Sequence, residues 1–293
     1  MIGINYYDTK FKLNGCINDV KNVKNFLTRH GYKAEDMVIL TDDNDRNSRA
    51  FPTRRNIIDA MNWLVAGSKE NDSLFFHFSG HGSQIEDTDG DELDGYDETI
   101  CPYDFEQAGQ ISDDELHAIM VKPLPEGCRL TALFDCCHSG SMLDLPYTYN
   151  TKGVLKEPNL YSELGQGLLP IVSEYVKGDK QKALKSIFKL VKNVNTFTNN
   201  QGAVEKTKKT KTSPADVIML SGCKDDQTSA DAHIGGEATG AMSFAFIEVM
   251  NTGKKQSYLT LLQNTRKVLE AKYSQKPQLS ASHPIDTNLE FIF

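Results

Sequence analysis

No two cysteines are spaced as C-x-x-C, which removes the usual structural zinc knuckle. The six present are Cys16, Cys101, Cys128, Cys136, Cys137 and Cys223, and the adjacent pair Cys136 and Cys137 could join only under strain. An even count in a chain of 293 residues is a weak argument for disulfides, so a reducing compartment is the default. No apolar run approaches the roughly 18 residues of a membrane helix, and no signal peptide opens the chain. Strong positive charge is also missing. A formal net charge of −8 argues against a nucleic-acid surface and favours cations or basic ligands. There is no P-loop. Gly80-His81-Gly82 lacks the third glycine of a dinucleotide fingerprint, and no G-x-S-x-G elbow marks a serine hydrolase. No internal repeat is found.

What is present alternates between strand-like and helical runs. Ile2–Tyr7 reads as a strand, and Ile17, Val20, Val23 and Leu27 then share one helical face. Met37–Leu40 reads as a strand, and Thr53 can cap a helix carrying Ile57, Ile58, Met61, Leu64 and Val65. Ser73–Ser79 and Arg129–Asp135 are apolar strands that end in glycine-containing turns. Between them Ser112 to Glu115 forms a capping box. A strand is expected at Val217–Ser221, helices near Met242–Met250 and Tyr258–Lys272, and a terminal strand at Leu289–Phe293. This order predicts an α/β fold, a mainly parallel central sheet with helices on both faces. Ligands of such sheets bind beyond the carboxyl ends of the strands. That rule points to Ser79-Gly80-His81-Gly82 and to Asp135-Cys136-Cys137-His138-Ser139-Gly140, both immediately after a strand.

A thiolate nucleophile needs exposure and a neighbouring base. Cys137 lies two residues past its strand on a glycine-flanked turn, and His138-Ser139-Gly140 offers amides for an oxyanion. His81, between two glycines at the end of another strand, is the natural base if the two strands are neighbours. Cys136, hard against the strand end, reads as core or support. His138 is the alternative base, limited by its reach from an adjacent position. His30, His77, His117, His233 and His283 read as structural.

Strand-SGHG followed about fifty residues later by strand-DCCHSG resembles the type I metacaspases, fungal members above all, which are relatives of the caspases. The resemblance extends to Asn14–Asp19 near the start and Ser280–Pro284 near the end. It implies a caspase-like fold and a cysteine endopeptidase with Cys137 as nucleophile and His81 as base. It also implies a pocket for the residue before the scissile bond lined by Cys16, Asp19, Ser79 and Asp135. Two carboxylates there suit Arg or Lys on a protein or peptide substrate, where caspases take Asp. A catalytically silent calcium-binding or interaction module on the same fold is the competing reading.

Glu86 to Glu98 is dense in carboxylates, but it is no EF-hand: Glu92 stands where the turn glycine belongs, and a strand precedes it. Calcium can instead bind a scattered set of oxygens. The resemblance implies Asp97, Asp113, Asp114 and Asp144 as those ligands; Asp113 and Asp114 also suit the first turn of a helix on their own account.

The expected organisation is one peptidase domain over 1–293. Residues 1–149 form a large-subunit-like part with His81 and Cys137, 150–213 a lysine-rich processing linker, and 214–293 a small-subunit-like part. A strand beginning at the first residues suggests that an upstream prodomain has been removed. Lys177, Lys180, Lys182 and the run Lys206 to Lys211 are candidate self-cleavage points on an exposed linker. Family analogy adds a monomer with roles in cell death or aggregate clearance; the charge and the lack of a long apolar run predict neither nucleic-acid nor membrane binding, and the expected location is the cytoplasm and also the nucleus.

Overall fold

The computed structural model describes residues 1–86, 96–137, 139–155, 208, 210–223, 240–270 and 276–293. Its elements run in chain order as β1 (Ile2–Gly3), α1 (Cys16–Arg29), β2 (Leu40–Thr41), α2 (Arg54–Val65), β3 (Ser73–Ser79), β4 (Gly82–Glu86), β5 (Tyr96–Ile100), α3 (Phe105–Ala108), β6 (Ile111–Ser112), α4 (Asp113–Met120) and β7 (Arg129–Asp135). They continue as β8 (Tyr147–Tyr149), β9 (Asp216–Cys223), α5 (Ala241–Met250), α6 (Tyr258–Glu270) and β10 (Lys276–Ala281).

Among the described residues, seven strands form the main sheet in the order β2-β1-β3-β7-β9-β10-β8. The first five pair in parallel; β10 runs antiparallel to both β9 and β8. Apolar residues fill both faces because the strands are covered on both sides. Phe76, Phe78, Leu130, Ala132, Phe134, Val217 and Met219 join Ile57 and Met61 of α2 and Leu116 and Met120 of α4 in one core. Phe75, Leu133, Ile218 and Leu220, at the intervening positions, join α1, α5 and α6 in the other. The period-two split explains why these strands read as continuous apolar runs. The architecture is caspase-like, a mainly parallel sheet between two layers of helices.

Local chemistry sets the helix starts. Thr53 Oγ1 accepts from Asn56 N at 3.2 Å at the head of α2. Ser112 and Glu115 make the reciprocal capping box of α4. A second sheet, β4-β5-β6, is antiparallel and follows directly from the SGHG turn.

Several expectations are corrected. Ile2–Tyr7 shortens to Ile2–Gly3, because Tyr6 takes a left-handed backbone with φ 51° and turns the chain. Met37–Leu40 moves to Leu40–Thr41. Leu289–Phe293 is no strand beyond a single bridge of Glu290 with Ser257; Phe291 is buried in the second core instead. The strand near the end is Lys276–Ala281, which the sequence reading did not pick out. The acidic loop 87–95, His138 and residues 156–207 lie outside the described residues.

Candidate active site

β3 and β7 are adjacent and in register along their whole length, with Ser79 opposite Asp135, so the two turns leave the sheet side by side. Gly80 N donates to the Asp135 carbonyl at 3.3 Å. His81 is held through its backbone: its N–H donates to Tyr6 Oη at 3.0 Å, and its carbonyl accepts from Cys101 N at 3.0 Å. Tyr6 Oη in turn donates to the Cys101 carbonyl at 2.6 Å. The imidazole packs on the Tyr6 ring, with centroids 4.7 Å apart. Its Nε2 bonds the Phe11 carbonyl at 2.8 Å. A carbonyl only accepts, so Nε2 carries hydrogen and the neutral ring keeps its lone pair on Nδ1.

Gly82 lies directly against the Cys137 carbonyl, with Cys136 Cβ also close to its Cα substituent position. The histidine turn and the cysteine turn are therefore in contact. Cys137 is half-buried, whereas Cys136 is buried with its thiol pushed well above the ordinary range, first by burial. Ser139 is buried and donates to the Gly222 carbonyl at 3.2 Å; the Gly140 carbonyl accepts from Gln278 at 2.7 Å. Those two bonds tie the cysteine turn to β9 and β10.

Cys16, Asp19, Ser79 and Asp135 come together beside this edge. Ser79 Oγ donates to Asp19 Oδ2 at 2.8 Å, and the Cys16 thiol is raised to about 12, chiefly by burial. Asp19 is only partly covered, and its carboxyl is raised to about 7 by desolvation and then by the charge of Asp135. Asp135 is buried deeper. It accepts from Met242 N at 2.8 Å, from Ser243 N and from Ser243 Oγ, so it closes the N-terminus of α5. His77, fully buried, reaches Ser243 Oγ at 2.9 Å behind it. Gly240, at φ 87°, presses against the Asp19 carboxylate and leaves no room for a side chain. Sequence reading missed Ser243 and Gly240, which lie over a hundred positions from Asp135 and carry no local motif.

The acidic residues gather around the second sheet. Asp113 is buried at the head of α4, accepting from Glu98 N at 2.9 Å and Asp114 N at 2.9 Å. Burial first, then the charges of Asp144 and Glu98, lift its carboxyl far above the carboxylate range. Asp97 and Asp144 are buried as well. Glu98, buried and bonded by Ser141 Oγ at 2.7 Å, is an addition that sequence reading did not single out. Lys211 is a correction. Far from being an exposed linker residue, it is buried, with Nζ 2.7 Å from Asp144 Oδ2 and also paired with Asp114. Lys208 lies over the Tyr147 ring at 5.8 Å; Lys177, Lys180, Lys182, Lys206 and Lys209 fall outside the described residues.

As these side chains stand, no three His, Cys, Asp or Glu among the described residues are grouped closely enough to hold a metal ion. The donor chemistry nevertheless fits calcium: the oxygens are hard, and a cation, the Lys211 ammonium, is already bound between two of the carboxylates.

A family model described as the metacaspase, peptidase C14 domain matches residues 1–146. Metacaspase-1 of Mycosarcoma maydis is 57% identical over 295 residues, covering 100% of this chain and 72% of the relative. The chain belongs to the metacaspase family. Metacaspase-1 of Yarrowia lipolytica is 63% identical over 293 residues, and the chain spans 63% of that relative's length. A crystal structure of a protein from Geobacter sulfurreducens covers 99% of this chain, and the chain covers 95% of it, with a TM-score of 0.58 and 22% identity, a likeness of fold alone. Among the described residues no helix is long and apolar enough to cross a membrane.

Proposed function

We propose that the chain is a calcium-dependent cysteine endopeptidase cutting after Arg or Lys, with Cys137 as nucleophile and His81 as general base and acid. The observation that carries this reading is the contact between the two turns, Gly82 against the Cys137 carbonyl, next to an imidazole whose Nε2 is committed to Phe11. His81 Nδ1 takes the Cys137 thiol proton, and the thiolate attacks the scissile carbonyl carbon. The C–N bond breaks as His81 returns the proton to the departing amine. Water then cleaves the thioester, with His81 again as base. Amides of the His138-Ser139-Gly140 turn hold the developing oxyanion.

Asp19 supplies a partly exposed carboxylate for a guanidinium or ammonium. Asp135 contributes its negative field from below while it anchors α5. Asp97, Asp113, Asp114 and Asp144 would hold the calcium, and the bound ion would neutralise the acidic cluster next to the cysteine turn. Calcium-triggered self-cleavage in the lysine-rich linker belongs to the same reading. The test is a set of fluorogenic peptides ending in Arg, Lys or Asp before the reporter, each with calcium and with chelator. Turnover confined to Arg and Lys with calcium is expected, at high micromolar to millimolar ion; preference for Asp, or full activity in chelator, contradicts the reading.

A further inference from the structure

Lys211 reaches its carboxylates from far along the chain. Asp114 begins α4 and Asp144 follows the cysteine turn, 97 and 67 positions away. The Lys211 ammonium bridges the two carboxylates, which come from different segments. The ammonium faces Asp114 and Asp144, with Asp113 and Glu98 close behind, and Asp144 is almost fully covered.

Left without a cation, these buried carboxylates would be expensive to hold together. Lys211 relieves that cost in the metal-free protein, but with a single charge and without the coordination that oxygen donors give a divalent ion. An ammonium and a calcium ion cannot use the same carboxylate oxygens at once, and they repel each other.

We propose that Lys211 is a built-in occupant of the cation site, exchanged for calcium, and that its expulsion exposes the bond after Lys211 to proteolysis. The proposal rests on the calcium reading above and deepens it. Lys211 is anchored by side-chain pairing just ahead of β9, which stays in the sheet through its ladders to β7 and β10. Releasing the side chain therefore frees Lys211 beside the exposed Thr212, while Ser213 and Ala215 stay bonded to Ser282 and the sheet stays paired. While the ammonium is buried, a peptidase specific for basic residues cannot reach the bond after it. Calcium would then act twice, settling the acidic cluster and presenting Lys211 for cleavage.

The test uses Cys137→Ala protein, which cannot cut itself. Calcium is titrated calorimetrically into this protein and into the same protein carrying Lys211→Met. Removing the competitor should tighten binding by roughly tenfold or more. Endoproteinase Lys-C, with mass-spectrometric mapping, reads the other half without altering Lys211. Cleavage after Lys211 should be slow in chelator and roughly tenfold faster at saturating calcium. This second measurement stands even if Lys211→Met folds poorly. Equal affinities in two folded proteins, or a Lys211 still protected at saturating calcium, overturn the exchange. Calcium binding by neither protein overturns the metal reading beneath it, and with it the exchange.

Discussion

Gly82 packs on the main-chain carbonyl of Cys137 with no space between them for a methyl group. The contact is backbone to backbone, so no side-chain rotation can relieve an added Cβ. Gly82→Ala should therefore push the two turns apart, costing about 1–3 kcal/mol of stability. Misplacing the pair by an ångström should reduce turnover on the order of 10²-fold. Urea denaturation and steady-state kinetics on the one variant check both. Wild-type turnover in Gly82→Ala would mean that this contact does not set the distance between His81 and Cys137.

His81→Ala should lower turnover by about 10²–10⁴-fold, the usual scale for a positioned base. The bond from Nε2 to the Phe11 carbonyl gives a sharper expectation: a neutral ring fixed in this tautomer has its lone pair on Nδ1. NMR of ring nitrogens in Cys137→Ala should find the neutral His81 protonated at Nε2. The opposite tautomer, or a small kinetic loss, would return the base role to His138.

The pH dependence follows from Asp19, whose carboxyl is raised to about 7 by burial and then by Asp135. The folded protein holds that proton more tightly than the unfolded chain, so stability associated with Asp19 is present at low pH. It is lost as pH rises from the ordinary carboxylate range toward 7. Asp19→Asn should remove that loss, giving a flatter stability profile. Activity runs the other way, since a basic substrate needs the ionised form. KM for an Arg peptide should fall as pH rises through about 7 in the wild type, and stay high and flat in Asp19→Asn. A pH-independent wild-type KM would remove Asp19 from the substrate pocket.

Asp135 joins the pocket to α5. Ser243→Ala removes a hydroxyl bond to a buried carboxylate and the partner of His77 Nε2, so it should cost about 1.5–3 kcal/mol. Thermal denaturation measures this. A neutral substitution would mean that the Met242 and Ser243 amides alone suffice to hold Asp135.

Much of this arrangement was legible in the sequence where physics is local. Ser73–Ser79 and Arg129–Asp135 stand at their predicted boundaries because both faces of the sheet are covered and their residues are apolar accordingly. The Ser112 to Glu115 capping box and the Thr53 cap are short-range hydrogen-bond patterns, and both formed. His81 and Cys137 follow from the rule that parallel sheets build sites at their carboxyl ends. Their adjacency depended on the pairing of β3 with β7, which no local signal carries.

Long-range partners were hidden. Lys276–Ala281 contains Lys276, Pro277 and Gln278 and lacks a strand pattern, yet β9 and β8 enclose it. Leu289–Phe293 has the apolar content of a strand, but from irregular backbone it buries Phe291 in the second core and packs the partly buried Phe293 against it. Lys211 read as one more solvated lysine because the carboxylates that bury it come from elements far away in sequence.

The most direct test of the central claim compares the two adjacent cysteines. Wild type, Cys137→Ala and Cys136→Ala are assayed on one Arg-terminated fluorogenic peptide at saturating calcium, with folding checked by circular dichroism. Cys137, half-exposed beyond the strand, should be indispensable, its variant falling to the background rate. Cys136, buried with its thiol held protonated, should be dispensable, its variant keeping a substantial part of wild-type turnover. An active Cys137→Ala beside a silent, folded Cys136→Ala would contradict the account.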